Sequence, residues 1–280
     1  APVDILRRAG IPVQTLGVGG RRVTGAHGIP VEADAAAEEA SPDAMTGLVL
    51  PGGVPGTPHL EASAAVQRLL EEAVRRELCD APGCHDFDHT ERVLRNAEML
   101  AELELEPEDS RSFLAVSLAA MLHDIARPEE MKSNGKICHA QAGYGKAIRF
   151  LRECGCDDEA LIQLVANAVK RHRYRGKDQP ETLIDKILYD ADKLDTNGAV
   201  GIGRAFHFAG RIGARLHNPA SEAVAGEAYG REDSAYREYL VKLRNVPERM
   251  LTASGRNAAA ERAEFMHEFF RKLCRESGVE

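Results

Sequence analysis

The sequence predicts a mainly α-helical protein that carries a small α/β segment at its N-terminus. Up to about residue 78, short β-type stretches alternate with helical spacing, whereas from about residue 85 onward helical patterns follow one another. Between them, "CDAPGCHD" (79–86) contains a Pro-Gly pair that interrupts regular structure. We therefore predict two regions, residues 1–78 and residues 79–280.

The N-terminal region has the alternation of elements that is typical of a doubly wound parallel sheet. "IPVQTLGV" (11–18) is rich in β-forming residues, and "GLVL" (47–50) is a short apolar run that ends in "PGGVPG". "ASAAVQRLLEEAV" (62–74) repeats apolar residues at helical spacing. Short strands that alternate with a helix predict a small parallel sheet.

The second region contains helical patterns separated by polar breaks that hold glycine or proline. No stretch in this part predicts a β-strand. The predicted helices are 88–105, 109–126, 138–154, 158–172, 181–195, 198–214, 231–244 and 256–276. Consecutive amphipathic helices of this kind predict a helical bundle.

Composition and charge exclude several classes of protein. The net charge of −8 argues against binding of duplex nucleic acid, and no apolar stretch approaches the roughly 20 residues that cross a bilayer. The N-terminal "APVDILRRAG" has no secretion signal pattern. The six cysteines are scattered, which is typical of free thiols in a reducing compartment. We predict a cytoplasmic protein without a membrane partner.

Several predicted helices direct a histidine or an aspartate toward the interior. His89 shares a face with Val93, and Asp192 follows the core position Leu188 by four residues. The apolar run "SFLAVSLAAMLHDIA" (112–126) ends with an adjacent histidine and aspartate. A buried charge is costly unless it is paired or coordinates a metal. A divalent cation would satisfy several of these groups together, and the residues predicted to hold it are His89, His123, Asp124 and Asp192.

Adjacent ligands at positions 123 and 124 can reach one ion if the helix loosens at its end. Pro128 is close enough to terminate that helix. The mixed nitrogen and oxygen donors suit Mn²⁺, Co²⁺, Ni²⁺, Fe²⁺ or Mg²⁺, with open positions for water and substrate. For each histidine taken alone, the alternative is a core residue with an ordinary hydrogen-bond partner.

The motifs "HDFDHTERV" (85–93), "HD" (123–124) and "DADKL" (190–194) resemble, in this order, the HD-domain superfamily of metal-dependent phosphohydrolases. The resemblance covers roughly residues 80–276 and implies an HD-type helical bundle. The stretch "DADKLDTNGAVGIGRAFHFAG" (190–210) is similar to small bacterial HD hydrolases of the YedJ and YpgQ kind. The positions that match the family's metal ligands are His89, His123, Asp124 and Asp192, with Asp190 as the alternative to Asp192.

A second ion site is an open question at this point. His139 and His172 fall where some binuclear members of the superfamily place extra histidine ligands. The sequence "KRHRYR" (170–175) departs from the paired histidines of the cyclic-dinucleotide phosphodiesterases. His139 and His172 are therefore candidates for a second site that the motif alone does not establish.

The resemblance implies hydrolysis of a phosphate ester or anhydride by a metal-activated water. Asp124 and Asp192 are the predicted catalytic groups that orient this water. The residues predicted to bind the phosphates of the substrate are Arg92, Arg127, Arg173 and Lys193. Tyr174 and Tyr189 are core residues or base-stacking residues, and the core interpretation is favoured.

The predicted substrate is a small phosphate compound, and a nucleotide is favoured. Nucleoside triphosphate pyrophosphohydrolase activity is known among the similar bacterial proteins. The alternatives are a phosphodiesterase or a 5′-nucleotidase on the same scaffold. A different class of function is a non-catalytic sensor or interaction protein in which the metal only stabilises the bundle.

The N-terminal region carries a second resemblance. "PVDILRRAGIPVQ" (2–14), "GAHGIPVEAD" (25–34) and "LVLPGGVPGTPHL" (48–60) are similar to the ThiJ/PfpI family, which has a flavodoxin-like fold. The family's strand before the nucleophile elbow is missing, and no apolar strand leads into Cys79. We expect half of a flavodoxin-like sheet without catalytic activity, whose open edges favour a homodimer or a docking surface.

Overall fold

The computed structural model describes residues 12–24, 29–41, 87–133, 135–154, 156–174 and 178–279, together with positions 7, 45, 63, 65 and 68. The predicted strand 47–50, most of the predicted helix 62–74, and Cys79 and Cys84 lie outside the described residues. The chain divides into two compact units, one of residues 1–77 and 149–159 and the other of residues 78–148 and 160–280. The division into domains at residue 78 stays a prediction.

Two short pairs of strands form the described N-terminal part. The strands are β1 (Leu16–Gly17), β2 (Arg22–Thr24), β3 (Pro30–Glu32) and β4 (Ala35–Ala36). β1 pairs with β4 in parallel, whereas β2 and β3 are antiparallel with Val23 opposite Val31. Of residues 12–18, the described part of the predicted strand 11–18, two are extended in a ladder, and a turn that contains Gly19 at φ 79° follows them.

Residues 87–279 are mainly helical, and no β-strand is found in the described part of this range. The α-helices are α1 (Phe87–Glu104), α2 (Ser110–Leu122), α3 (Arg127–Lys132), α4 (His139–Glu153), α5 (Glu159–Arg171), α6 (Leu183–Leu194), α7 (Gly198–Arg211), α8 (Ala220–Ala225), α9 (Ala235–Val241) and α10 (Ala253–Ser277). Two 3₁₀ turns, Leu243–Asn245 and Pro247–Arg249, precede α10. The predicted mainly α architecture is confirmed.

The predicted helix 109–126 is shorter in the structure. α2 begins after the Asp109 cap, whose carboxylate accepts a hydrogen bond from the Ser112 N–H at 3.0 Å, and it ends at Leu122. Residues 123–126 form a turn, and α3 then begins with Pro128 in its first turn. His123 still has a helical backbone, with φ −57° and ψ −39°, and the ligand atoms of His123 and Asp124 lie close together at this helix end.

Two further predicted helices have different bounds. The predicted helix 231–244 is reduced to α9 and the 3₁₀ turn after it, whereas α10 begins three residues earlier than predicted. The short helices α3 and α8 were not predicted as separate elements. Six-residue helices hold too few turns for a periodic apolar face to be recognised in the sequence.

The core of the bundle lies between α1, α2 and α6, with α10 packed against α1, α6 and α7. Alanines of α2, including Ala115 and Ala119, are fully buried and allow the neighbouring helices to approach closely. Leu100, Ile187 and Leu188 are also fully buried, and each stabilises the fold by roughly 1.5–3 kcal/mol through removal of apolar surface from water. The residues of the candidate site are built into this core.

Asp190 connects α6 to the start of α10. Its carboxylate accepts hydrogen bonds from the backbone N–H groups of Leu251 and Thr252, at 2.9 and 2.8 Å, and from the Thr252 hydroxyl at 2.7 Å. A Cβ atom at Gly255 would collide with this carboxylate, so the position requires a glycine. Both oxygens of Asp190 are engaged in holding α10, which favours Asp192 over Asp190 as a metal ligand.

Within the described residues, none of the helices has the length and apolar character needed to span a bilayer. The described cysteines Cys138, Cys154, Cys156 and Cys274 are free thiols. Burial raises the pKa of the Cys154 thiol to about 11. That thiol therefore stays protonated at neutral pH and is a poor nucleophile.

Candidate metal centre

Four histidines and one aspartate meet inside the helical bundle. His89 lies in the first turn of α1, His123 and Asp124 lie in the turn after α2, His139 begins α4, and His172 follows α5. Their side chains are only 1–3% exposed. Residues far apart in the sequence are thus brought together at helix ends, where the backbone leaves room for side chains to converge.

The two oxygens of Asp124 face different pairs of histidines. Oδ2 lies 3.9 Å from His89 Nε2 and 3.8 Å from His123 Nε2. Oδ1 lies 2.9 Å from His139 Nε2 and 3.9 Å from His172 Nε2. The ligand atoms therefore form two groups, which we call the first cluster (His89, His123 and Asp124) and the second cluster (Asp124, His139 and His172).

The Nδ1 atoms of His123 and His172 are fixed by the backbone. His123 Nδ1 lies 2.7 Å from the carbonyl oxygen of Ala120, and His172 Nδ1 lies 2.6 Å from that of Val169. A carbonyl oxygen only accepts hydrogen bonds, so each Nδ1 carries the hydrogen. The Nε2 lone pairs of both rings are thereby directed into the centre.

The Nδ1 atoms of His89 and His139 are fixed by carboxylates. His89 Nδ1 lies 2.7 Å from Asp195 Oδ2, and His139 Nδ1 lies 2.7 Å from Glu130 Oε2. Metal-bound histidines in proteins are oriented in this way, by a carboxylate or carbonyl on the second ring nitrogen. The Nε2 atom of His89 is thereby available as a donor to a metal. His139 Nδ1 lies between Glu130 and the Arg127 guanidinium, 2.8 Å from the latter, and its Nε2 atom faces Asp124.

The distances between the Nε2 atoms of the histidines show whether a cation fits the centre. His89 and His123 bring their Nε2 atoms within 3.3 Å, and His139 and His172 do so within 3.2 Å. In His123 and His172 the Nδ1 atom carries the hydrogen, so each of these rings directs a buried Nε2 lone pair at a neighbouring imidazole. Burial lowers the pKa of His123 and holds that of His172 well below its usual range, so both rings are neutral. A divalent metal ion satisfies this donor set.

Asp192 completes the first cluster from the side of α6. Its Oδ1 lies 3.6 Å from His89 Nε2, and its Oδ2 accepts a hydrogen bond from Lys193 Nζ at 2.6 Å. Burial opposes ionisation of Asp192, but the positive charge of Lys193 beside it helps to hold its pKa well below the usual value. Its side chain is 16% exposed, so the ionised carboxylate borders both the cluster and solvent.

Comparisons with known proteins agree with this geometry. Residues 86–197 match the model of the HD domain, and residues 1–85 match the DJ-1/PfpI family. The uncharacterized protein YpgQ of Bacillus subtilis is 31% identical over 206 residues, which are 71% of this chain and 88% of that protein. The chain belongs to the HD-domain family. Both resemblances predicted from the sequence are confirmed, and every residue of the two clusters lies within the matched HD domain.

Solved structures of other HD-domain proteins have the same fold. A predicted HD superfamily hydrolase from an uncultured Thermotogales bacterium is 28% identical, with a TM-score of 0.52 over 75% of this chain and 91% of that one. The structure of Bacillus subtilis YpgQ in complex with ADP is 28% identical, with a TM-score of 0.55 over 75% of this chain and 93% of that one. The helical part is therefore an HD-type bundle.

Three of the four cations predicted to bind phosphate lie beside the clusters of this HD domain. Arg127 and Arg173 both donate to Glu130, at 2.9 and 2.7 Å, and so lie next to the second cluster. Lys193 lies next to the first cluster through its ion pair with Asp192. The positive charges are thus distributed over both sides of the centre.

Arg92 lies behind the first cluster. Its guanidinium donates to Asp195 at 2.6 Å on the Nδ1 side of the His89 ring, as Arg127 and Arg173 donate to Glu130 on the Nδ1 side of the His139 ring. There it lines a cavity of about 350 Å³ with Arg95 and Arg262. The structure therefore places Arg92 among the groups that orient His89, and its predicted contact with substrate stays a prediction.

Sequence reasoning missed the two carboxylates that orient histidines. Asp195 is 1% exposed and also accepts hydrogen bonds from Arg92 and Arg204, and hydrogen bonds from His89 and Arg92 overcome burial to lower its pKa. Asp195 follows Asp192 by one helical turn in "DADKLD", and this spacing is the one signal that could have identified it. Glu130 has no comparable signal, since it lies in a six-residue helix without periodicity.

Proposed function

We propose that this HD-domain chain is a divalent-cation-dependent phosphohydrolase that acts on a nucleotide or a related phosphate ester. The proposal includes cleavage of a nucleoside triphosphate to release pyrophosphate. The observation that carries it is the convergence of four imidazole Nε2 atoms on the two oxygens of Asp124. The ADP in the YpgQ structure supports a nucleotide as the substrate class.

Two groups of residues would hold cations. His89, His123, Asp124 and Asp192 would hold the first ion, and the second cluster would hold another. The nitrogen and carboxylate donors are compatible with Mn²⁺, Co²⁺, Ni²⁺, Fe²⁺ or Mg²⁺. When bound, such an ion supplies a lowered pKa for a coordinated water and polarisation of a phosphoryl oxygen.

Asp192 has the properties required of the residue that orients a water molecule toward phosphorus. Its low pKa keeps the carboxylate ionised, and an ionised carboxylate accepts hydrogen bonds without donating them. It is more exposed than the members of the clusters, so it marks the side of the centre that substrate reaches. Asp124 is buried between the clusters and holds both of them in place.

The cations beside the clusters would bind the charged oxygens of the substrate. Arg127 and Arg173 converge on one carboxylate, Glu130, so one acidic group holds two guanidinium groups near the second cluster. Such a pair presents several N–H donors in fixed directions, which suits a phosphate group. Lys193 provides a single positive charge near the first cluster. A substrate with more than one phosphate can contact the cations beside both clusters.

The test is a screen of nucleoside mono-, di- and triphosphates, cyclic nucleotides and simple phosphate esters with each of Mn²⁺, Co²⁺, Ni²⁺ and Mg²⁺. Phosphate and pyrophosphate are measured separately, because pyrophosphate release from a triphosphate identifies attack at the α-phosphorus. Cleavage restricted to diesters or monophosphates would instead indicate a phosphodiesterase or a 5′-nucleotidase. Absence of turnover with every cation would contradict the proposal and favour a metal-stabilised interaction protein. The cytoplasmic location and a homodimer stay predictions.

A further inference from the structure

Two tyrosines form an aromatic pair close to the candidate metal centre. The ring centroids of Tyr174 and Tyr189 are 5.6 Å apart, and the ring planes meet at 74°. Tyr189 is only 6% exposed and belongs to the core, as the sequence suggested. Tyr174 is 42% exposed, so the core interpretation is wrong for this residue. The Tyr174 ring therefore packs against the buried Tyr189 ring and is also open to solvent.

The pair is connected to both clusters. Tyr174 follows the second-cluster ligand His172 by two residues, and its N–H donates to the carbonyl oxygen of Arg171 at 2.9 Å. On the other side, Lys193 Nζ lies 5.1 Å from the centre of the Tyr189 ring and also pairs with Asp192. The open ring of Tyr174 thus lies beside the groups proposed to bind phosphate.

The backbone of Tyr174 is in the left-handed region, with φ of 48°. A bulky residue rarely adopts this conformation, because its Cβ atom crowds the backbone. Strained conformations of this kind persist where the surrounding structure holds them, and they are frequent at ligand-binding sites. A glycine at this position would remove the strain.

We propose that Tyr174 is a stacking platform for the nucleobase of a nucleotide whose phosphates lie at the metal centre. This inference rests on the proposed function, in which the substrate is a nucleotide. Aromatic rings bind bases through their π-faces, and this stacking tolerates different bases. Tyr189 holds the platform from the core side, while Lys193, which lies over the Tyr189 ring, and Arg173, which precedes Tyr174, bind phosphate oxygens.

The experiment compares binding of two probes to the full chain loaded with Mn²⁺. ADP carries a base and inorganic tripolyphosphate does not, and both dissociation constants are measured by calorimetry. For Tyr174→Ala we expect the dissociation constant for ADP to rise about 10-fold, within the roughly 5- to 150-fold range for loss of one stacked base. Binding of tripolyphosphate should stay within about twofold, and Tyr174→Phe should bind both probes as the unmodified chain does.

A matched control is available elsewhere in the chain. Tyr229 is also exposed, at 75%, and it has the same type of left-handed backbone, with φ of 63°. Its ring packs against Phe208, and its N–H donates to Asp233 at 2.7 Å. Tyr229→Ala should leave the binding of both probes unchanged. Tyr174→Gly removes the platform without left-handed strain, so it should weaken ADP binding as Tyr174→Ala does even if the alanine variant folds poorly.

The outcomes separate this inference from the proposed function. An equal loss of ADP and tripolyphosphate binding would show that Tyr174 only supports the structure of the site, and it would overturn the platform. Unchanged ADP binding in the Tyr174→Ala variant, or no ADP binding by the unmodified chain, would overturn it as well. Selective loss of ADP binding in a chain that hydrolyses no phosphate would support the platform while the proposed function fails.

Discussion

The two clusters share Asp124 but differ in how their outer histidines are held. In the first cluster, His89 is oriented by Asp195, a fully buried carboxylate that is itself fixed by two arginines. In the second cluster, His139 is oriented by Glu130, which is also held by two arginines but whose side chain is 16% exposed. The first cluster also has a second carboxylate beside its Nε2 atoms, that of Asp192. Among the described residues, the second cluster has no further carboxylate in such a position.

This difference predicts unequal affinities for cations. More anionic donors and a more deeply buried carboxylate behind the ligands strengthen the binding of a divalent ion. We therefore expect the first cluster to bind its ion more tightly and the second cluster to fill at higher concentrations of metal. Because Asp124 belongs to both, the two affinities are coupled through one carboxylate.

The largest effect should follow from loss of the shared carboxylate. In Asp124→Ala, both clusters lose a ligand, so we expect both ions to be lost and hydrolysis to fall by at least about 100-fold. Metal content after dialysis and the turnover of the best substrate from the screen measure the two effects. Asp178→Ala, which removes an aspartate paired with Lys170, is the control and should retain metal and activity. Full activity of Asp124→Ala would show that the clusters are not the reaction centre.

The next comparison removes one outer histidine from each cluster. His89→Ala should lose the tightly held ion, and His139→Ala should lose only the weaker one. Titration with Mn²⁺, followed by calorimetry, should give two ions for the unmodified chain and one for each variant, with the tighter site retained in His139→Ala. A single ion in the unmodified chain, unaffected by His139→Ala, would show that the second cluster holds no metal.

The sequence predicted the residues of the clusters better than the groups that support them. His89 and Asp192 were recognisable because each continues an apolar helical face, and the adjacent pair at 123 and 124 was recognisable because it ends a buried helix. Asp195 was missed because it acts on a histidine 106 residues away, and this contact exists only after folding. Helical periodicity reports which face is buried, but it does not report which atoms meet across that face.

The same limit explains the differences in the fold. The predicted helix 109–126 ends at Leu122 because the following residues form the turn that carries the ligands, a tertiary requirement that propensity does not contain. The core interpretation of Tyr174 is wrong because α5 already ends at Arg171, and Tyr174 lies after the helix and is exposed. Long helices with clear periodicity were predicted to within a few residues, whereas short helices and loop side chains were not.

A smaller effect should distinguish the two carboxylates that orient histidines. Asp195→Asn keeps the shape of the side chain but weakens the acceptor for His89, and we expect the affinity for the first ion to fall about 10- to 100-fold. Glu130→Gln should weaken binding of the second ion by less than about 10-fold, since Glu130 is more exposed than Asp195 and solvent weakens its hydrogen bond to His139. Calorimetric titration of each variant measures both values, and thermal unfolding checks that the variants are folded. A larger effect for Glu130→Gln would reverse the proposed order of the clusters.

The smallest effect on activity should come from Asp190, which lies two residues from Asp192 on the same helix. Asp190 accepts three hydrogen bonds at the start of α10, so Asp190→Ala leaves buried donors unsatisfied and should lower the free energy of unfolding by about 1–3 kcal/mol. Cation binding by the Asp190→Ala variant should stay unchanged. Asp192→Ala should instead lose affinity for the first ion with little change in stability. Urea unfolding measures the stability of the two variants, and Mn²⁺ titration measures their cation binding. The two measurements separate the structural role of Asp190 from the ligand role of Asp192. If Asp190→Ala lost the first ion while Asp192→Ala retained it, the first cluster would have to be rebuilt around Asp190.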